Sequence, residues 1–202
     1  MKHLLFLIAV LSASVAFAQK SYSGFGKFPV DPVSGAVVFD TIMTARDPRM
    51  VVYGKTREYL GTAIPGLKEG TGSQDSVTGK ISGEATLGFG YSHLYVVKEK
   101  KKTSQLTNAV TGKIHFRYQV TAMDQKLRLV IDHIKIIDTS VSATPQPVNL
   151  AAFNSTLQKA ASEELVDQVE AKNSFARYES LYAVLGSFIS GLSGKLMFKP
   201  LQ

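Results

Sequence analysis

The chain has 202 residues, a hydrophobic content of 45% and a formal net charge of +7 at pH 7. This length allows one globular domain with an appendage, and the composition is ordinary for a chain that folds around an apolar core. The chain contains no cysteine. Disulfides, thiol catalysis, cysteine metal sites and a lipoprotein anchor on cysteine are therefore excluded.

The first 18 residues have the pattern of a secretory signal peptide. A basic start precedes the apolar run from Leu4 to Leu11, and Ala16-Phe17-Ala18 is a small-x-small cleavage motif. The apolar run is too short to span a bilayer. The sequence predicts cleavage between Ala18 and Gln19, followed by a flexible Ser/Gly-rich lead-in over residues 19–27. We expect export to the periplasm, to the outer membrane or into the medium.

A strand and a helix form the unit around which the rest of the chain is arranged. Residues 31–35 carry turn chemistry, with proline and glycine in Asp-Pro-Val-Ser-Gly. A β-branched, largely apolar strand is predicted over residues 36–45. Asp47 is predicted to cap the helix that follows, because its carboxylate can accept hydrogen bonds from free backbone N–H groups. Pro48 suits the first helical position. Pro65-Gly66 should stop this helix.

The middle of the chain alternates between apolar and polar residues, as strands with one buried face do. Residues 68–78 form a polar loop with room for a short strand, and residues 80–91 form the first clear alternating run. A short strand at residues 94–98 is predicted next. We expect a charged, polar loop to follow and to end near Val110.

The clearest hairpin lies between residues 113 and 138. Alternation runs from Ile114 to Val120, a turn follows at residues 122–126, and the apolar face resumes at Leu127. The apolar phase shifts after Asp132, which predicts a β-bulge at Asp132-His133. Matching the apolar faces places Arg117 opposite Asp132 as a cross-strand ion pair.

The last third of the chain is predicted to be helical. Residues 139–148 form a Ser/Thr/Pro linker, and Asn149 can cap a helix that runs to about Lys172. Asn173-Ser174 offers a break and a new cap for a second helix, which Gly191 and Gly194 should end. The order of elements predicts an α+β fold, with helices on one face of an antiparallel sheet.

Four segments resemble a family of bacterial exported proteins described as a domain of unknown function with a TBP-like fold: FPVDPVSGAVVFDTIMTA, GKTREYL, GKISGEA and IHFRYQVTAMDQKLRLVIDHIKIID. The turn Asp31 to Gly35, the Gly79-x-Ile81-x-Gly83 strand and the aromatic-basic hairpin carry this resemblance over residues 28–138. It implies a β-α-β-β-β-β-α antiparallel sheet with helices on one face, closed by the helix from Asn149. The helices predicted from the residues themselves over 149–194 add a C-terminal helical extension. It implies no established activity and no DNA binding.

No catalytic, metal or cofactor site is predicted. His93, His115 and His133 show no ligand spacing, and no acidic cluster joins them. The segment Gly90 to Leu94 lacks the final glycine of a Gly-x-Ser-x-Gly elbow. A hydrolase acting on an envelope polymer remains an alternative that a cleft with converging Asp, Glu or His would favour.

The positive charge is concentrated in the β-rich part of the chain. Residues 25–138 hold 16 basic and 11 acidic side chains, whereas residues 139–202 hold five of each. The candidate anion-binding residues are Lys100, Lys101, Lys102, Lys113, Arg117 and Arg128. The ligand would be an anionic glycan or lipid surface, or an envelope protein, and not nucleic acid. The plainer interpretation is a solvated loop and a soluble sheet face.

The tail has an uncharged segment from Ser180 to Gly194. It is predicted to pack on its own domain or in a self-association interface, with shallow membrane association as the alternative. We therefore expect an exported, non-enzymatic binding or structural component of the bacterial envelope that uses a basic sheet face and a C-terminal helix. The alternative is a membrane-associated subunit of an envelope assembly.

Overall fold

One antiparallel sheet and three helices make up the described part of the chain. The computed structural model describes residues 28–64, 72–99, 102–138 and 142–197. In chain order the elements are β1 (Phe39–Thr44), α1 (Arg49–Ala63), β2 (Ser73–Asp75), β3 (Lys80–Glu99), β4 (Lys102–Met123), β5 (Lys126–Asp138), β6 (Ser142–Pro147), α2 (Leu150–Ala160) and α3 (Leu165–Met197). The strand order is β1-β5-β4-β3-β2, and β6 pairs with β5. The predicted α+β class is confirmed.

The helices cover one face of this sheet and leave the other face to solvent. Alternate strand residues such as Ile114, Phe116 and Leu129 are completely buried on the helix side, and the residues between them are exposed or half-buried. This is the period-2 pattern of a sheet with one buried face. The alternation in the sequence therefore identified the inner face correctly.

The predicted opening turn is confirmed at residues 31–35. The Asp31 carboxylate accepts a hydrogen bond of 2.8 Å from the Val33 backbone N–H. Gly35 takes φ = +67°, a conformation that glycine adopts without steric cost. Val30 bridges Val37 across the turn. Regular pairing of β1 with β5 begins at Phe39, three residues later than the predicted strand.

The N-terminus of α1 is capped differently from the prediction. Asp47 makes no cap; its carboxylate instead binds the Lys55 ammonium at 2.7 Å. The Arg49 backbone N–H donates to Asp124 Oδ1 at 2.9 Å, so the cap comes from the β4–β5 turn. Both aspartates are close to the helix in space, but only the tertiary fold brings Asp124 to this position.

The longest hairpin is larger than the sequence predicted. β3 and β4 stay in register from Lys80↔Thr121 to Glu99↔Lys102. The short strand at residues 94–98 is therefore the end of β3, and the loop predicted up to Val110 is wrong for the described residues, which belong to β4. Residues 104–109 are all exposed, so this strand has no apolar alternation that a sequence could display. We call residues 94–99 and 102–107 the hairpin arm.

The predicted β-bulge is confirmed. Arg117 pairs with Asp132 and His115 with Lys135, so β5 contributes one residue more than β4 between these pairs. His133 takes φ = +53°, as the extra residue of a bulge can do. The bulge turns Ile134 and Ile136 back toward the core, where both are buried.

The segment predicted as a linker contains β6. Ser142 pairs with Asp138 and Pro147 with Lys135. A proline at the edge of a sheet costs no hydrogen bond within the ladder, so the Ser/Thr/Pro composition is compatible with an edge strand. The sheet consequently has six strands, one more than the β-α-β-β-β-β-α arrangement.

The two C-terminal helices divide at a different point from the prediction. Asn149 caps α2 as expected, because its side-chain oxygen accepts a 2.9 Å bond from the Ala152 N–H. The break lies between Ala160 and Leu165, and not at Asn173-Ser174. Asn173 is instead a buried residue inside α3.

The glycines predicted to end the last helix lie inside α3. A Cβ at Gly191 would come within 2.5 Å of the Tyr59 hydroxyl oxygen. That hydroxyl donates a 2.7 Å hydrogen bond to the Phe188 carbonyl. Gly191 therefore permits the close crossing of α1 and α3, while α3 continues to Met197.

The tail packs on its own domain through the apolar face of α3. Leu181, Leu185 and Leu192 are completely inaccessible, and Phe188 contacts Phe116 of β4 at a ring-centroid distance of 5.7 Å. None of the helices in the described ranges combines the length and the hydropathy that crossing a bilayer requires.

Candidate functional site

The open face of the sheet carries more basic than acidic side chains. On β1, β5, β4 and residues 80–88 of β3, the outward positions hold six basic and three acidic residues: Lys80, Lys113, Arg117, Lys126, Arg128 and Lys135 against Asp40, Glu84 and Asp132. The excess of positive charge predicted for this domain is thus present on the face that carries no helix.

The two predicted arginines are held by carboxylates. Arg117 donates to both Asp132 oxygens, each at 2.8 Å, and the ion pair predicted from the sequence is confirmed. Arg128 binds both oxygens of Asp40, at 2.9 and 2.6 Å. The hydrogen bond from each guanidinium lowers the pKa of its partner carboxyl. Arg117 and Arg128 are therefore largely neutralised by neighbours within the sheet.

The predicted lysines do not form one cluster. Lys102 begins β4, and Lys113 lies 11 residues further along the same strand, a separation of about 36 Å at the rise of a β-strand. Lys100 and Lys101 lie outside the described residues, as do Ala18 and Gln19 of the predicted cleavage site. Of the six candidates, only Lys113 is an exposed cation without an ion-pair partner among the described side chains.

A second lysine on this face was missed by sequence reasoning. Lys135 pairs with His115 across β4 and β5, and Lys113 is two residues from His115. Lys113 and Lys135 are therefore diagonal neighbours, a spacing at which long side chains reach the same region. Lys135 also has no ion-pair partner in the described part of the chain. The register across the bulge would have been needed to find this pair.

A threonine, a histidine and a glutamate adjoin on the same face. Thr86 Oγ1 lies 3.2 Å from His115 Nδ1, and His115 Nε2 lies 3.5 Å from the Glu84 carboxylate. The order hydroxyl, imidazole, carboxylate is that of a hydrolase triad. Here it lies on an open face, with the Glu84 side chain 69% exposed. Water screens the charges of these three side chains, and the open face encloses no substrate. We therefore assign no catalytic role to them.

A small polar cleft lies on the helix side, where the second half of β3 meets α3. It has a volume of about 310 Å³ and is lined by Tyr91, His93, Lys159, Glu170, Asn173, Ser174 and Arg177. The Lys159 ammonium and the Glu170 carboxylate form an ion pair within this lining. We call this hollow the Arg177 cleft.

Asn173 joins the two walls of the cleft. Its side-chain oxygen accepts a 2.7 Å hydrogen bond from the Leu94 N–H, and its amide nitrogen donates to the Leu94 carbonyl at 2.9 Å. The amide thus pairs with β3 as a neighbouring strand would. The same nitrogen donates to His93 Nε2 at 3.1 Å.

Tyr91 and His93, which also line the cleft, contact other polar groups. The Tyr91 hydroxyl donates a 2.5 Å hydrogen bond to the buried Asp138 carboxylate. Burial lowers the pKa of His93, and this effect is larger than the opposite effect of the Asp138 charge. The imidazole is therefore neutral at pH 7. A neutral imidazole can accept the hydrogen bond from Asn173.

Arg177 lies at the side of the cleft, one turn of α3 beyond Asn173. Its Nη2 is 3.5 Å from Ser174 Oγ, and its guanidinium carbon lies 5.6 Å from the centroid of the Tyr178 ring. The Nε and Nη1 atoms are buried and have no hydrogen-bond partner in the described structure. Sequence reasoning missed this residue. The available signal was a polar pair, Asn173 and Arg177, spaced by four on the helix face that also carries Val169.

Metal binding finds no support in the described ranges, where no three His, Asp or Glu side chains converge as ligands would. The described histidines instead bind neighbouring polar groups: His93 accepts from Asn173, His115 adjoins Thr86, and His133 lies 2.9 Å from Asp132.

The chain is similar in structure to two solved proteins. A DUF4468 family protein from Bacteroides ovatus superimposes with a TM-score of 0.45 and 11% identity, over 85% of this chain and 94% of that one. A TBP-like protein from Parabacteroides distasonis gives a TM-score of 0.40 and 10% identity, over 80% and 96% of the two chains. No family model and no curated protein matches the chain.

Proposed function

We propose that the protein is a non-enzymatic binding module of the bacterial envelope, and that the open face of its sheet binds an anionic glycan. The observation that supports this most strongly is the pair Lys113 and Lys135. The two ammonium groups share one region of the face and have no carboxylate partner among the described residues. Elsewhere on the face the arginines are matched with aspartates, so this unmatched pair leaves positive charge for a ligand.

The shape of the face also suits an extended ligand. All three helices lie on the opposite side, so nothing among the described elements covers the outward positions of β4 and β5. A flat surface with spaced cations attracts a polyanion through long-range electrostatics, and salt weakens this attraction. A lipid surface is less well matched, because most of the large apolar residues of α3, such as Leu181, Leu185 and Leu192, are buried.

The test measures binding of the purified protein to polygalacturonate over a range of NaCl concentrations. Lys113→Glu and Lys135→Glu are compared with Lys172→Glu, which makes the same charge change at an exposed position of α3. We expect binding that weakens with salt, a loss of about tenfold in each of the first two variants, and little change in the third. Vesicles that contain phosphatidylglycerol form a parallel arm.

Three results would contradict the proposal: binding that salt does not affect, equal losses in all three variants, or binding to the vesicles alone. A triple variant, Lys100→Glu with Lys101→Glu and Lys102→Glu, reports on the other end of the hairpin. If only that variant loses binding, the lysine-rich end is the binding region and the proposal for the open face is wrong.

A further inference from the structure

The Arg177 cleft contains a charged group whose hydrogen-bonding capacity is only partly used: Nη2 contacts Ser174 Oγ, and the guanidinium interacts with the Tyr178 side chain. Two nitrogens of the Arg177 guanidinium, Nε and Nη1, are buried without a partner in the described part of the chain. A buried donor without an acceptor costs free energy, and a buried charge costs more. Such a group in a folded protein calls for a specific explanation. Arg177 lines the cleft, so an acceptor that enters the cleft comes next to this side chain.

We propose that the Arg177 cleft binds the oxyanion group of a small molecule, a carboxylate or a phosphate. The planar guanidinium presents several N–H donors in a fixed geometry that matches these groups. This site goes beyond the proposed function, since it lies on the helix side and the glycan-binding face lies on the other side of the sheet.

The lining of the cleft fits this ligand class. The Ser174 hydroxyl, 3.5 Å from Arg177 Nη2, can donate a further hydrogen bond to an anion held there. Lys159 adds a second cation, although Glu170 already pairs with it. The volume of about 310 Å³ is at the lower end of the range for small-molecule sites.

The remaining polar groups of the cleft position the site and take no direct part in binding the anion. Both donor hydrogens of the Asn173 amide are engaged, one with the Leu94 carbonyl and one with His93. These bonds hold α3 against β3, and the Tyr178 ring packs beside the guanidinium. Arg177 is therefore held in place before a ligand arrives, which reduces the entropy lost on binding.

The test is thermal unfolding of the purified protein with added sodium phosphate or sodium succinate, at an ionic strength kept constant with NaCl. We expect the melting temperature to rise and to saturate with at least one of the two anions, because a ligand that binds only the folded state stabilises it. Saturation with phosphate alone assigns a phosphoryl ligand, and saturation with succinate alone assigns a carboxylate.

Arg177→Met separates a binding role from a structural one. Without anion, this variant should melt no lower than the parent protein, because an apolar side chain replaces a guanidinium that has two buried nitrogens without a hydrogen-bond partner in the described structure. It should lose the anion-dependent rise, whereas Lys172→Met, which removes an exposed cation nearby in α3, should keep it. Arg177→Lys keeps the charge but not the planar donors, and we expect at least a tenfold weaker anion response.

Each contrary result overturns the proposal. A parent protein that neither anion stabilises in a saturable way has no such site. An Arg177→Lys or Arg177→Met variant with the full anion response places the anion elsewhere. An Arg177→Met variant that melts well below the parent without anion shows that the guanidinium supports the fold itself.

Discussion

At the scale of single residues, Asn173 joins α3 to β3 with one side chain. Its amide satisfies both the N–H and the carbonyl of Leu94. Asn173→Ala should lower the free energy of unfolding by about 1–3 kcal/mol, because it leaves two partly buried backbone groups without partners. Chemical denaturation measures the change. Asn154→Ala, at an exposed position of α2, is the matched control and should have little effect; an equal loss in the two variants would contradict this role for Asn173.

The pair of Asp132 and Arg117 predicts how stability depends on pH. The hydrogen bond from Arg117 lowers the pKa of Asp132 in the folded protein. The stabilisation is therefore fully present above the pKa of the carboxyl in the unfolded chain, about 3.9, and is lost as the pH falls toward the lower folded pKa. Asp132→Asn should reduce the decline in stability below about pH 4.

The measurement for this pair is denaturant unfolding at several pH values between 2.5 and 7. Arg117→Gln is the matching variant, because it removes the donor and leaves the carboxylate. Arg117→Gln should reduce the decline less than Asp132→Asn does, because the contact with His133 still lowers the pKa of Asp132, and the double variant should behave like Asp132→Asn. A decline that is unchanged in Asp132→Asn would show that other carboxyl groups dominate acid unfolding.

At the scale of elements, the hairpin arm extends the sheet without forming part of its core. Residues 104–109 are exposed, and Leu94, at the base of the arm, is hydrogen-bonded to Asn173 of α3. Val96 and Gln105 face each other across the hairpin. Replacing residues 97–104 with Asn-Gly would connect them through a favoured two-residue turn. We expect this shortened protein to fold and to lose no more than about 1 kcal/mol of stability.

The shortened hairpin is examined by denaturant unfolding and by NMR of the remaining sheet. The shortened protein also lacks the three lysines at residues 100–102. If the open face binds the anionic glycan, the shortened protein should still bind it. A protein that unfolds without the arm would show that the arm contributes to the cooperative core.

The elements that could be predicted from the sequence are those whose signal is local. The turn at residues 31–35, the Asn149 cap and the bulge at His133 each follow from residue types at fixed positions or from a change of apolar phase. The β4 strand of the arm could not be predicted, because residues 104–109 are all exposed and show no apolar alternation. β6 was hidden by its Ser/Thr/Pro composition, which is equally typical of a linker.

The polar contacts that the sequence did not reveal depend on distant parts of the chain. Asp124 caps α1 from 75 residues away. Asn173 suggested a helix break because asparagine is common at helix ends, but its partner, 79 residues earlier, makes an interior position favourable. The Arg177 cleft likewise exists only where β3 and α3 meet. Candidate site residues on one strand can be read from alternation, whereas a cleft between two elements cannot.

At the scale of the whole molecule, the two faces of the sheet differ in burial and in charge. One face is buried beneath α1, α2 and α3, and its apolar residues supply the core. The other face is open and carries six basic against three acidic side chains on its outward positions. Folding therefore depends mainly on the inner face, so substitutions at Lys113 or Lys135 can change binding while leaving the fold intact.

The open face of the sheet is the proposed binding surface for the anionic glycan. The most direct measurement is NMR mapping of the backbone amide signals while the purified protein is titrated with polygalacturonate at low salt. The largest shifts should cluster around Lys113, His115 and Lys135, and added NaCl should reverse them. Shifts confined to α3 or to the end of the hairpin arm, or no shifts at all, would contradict it.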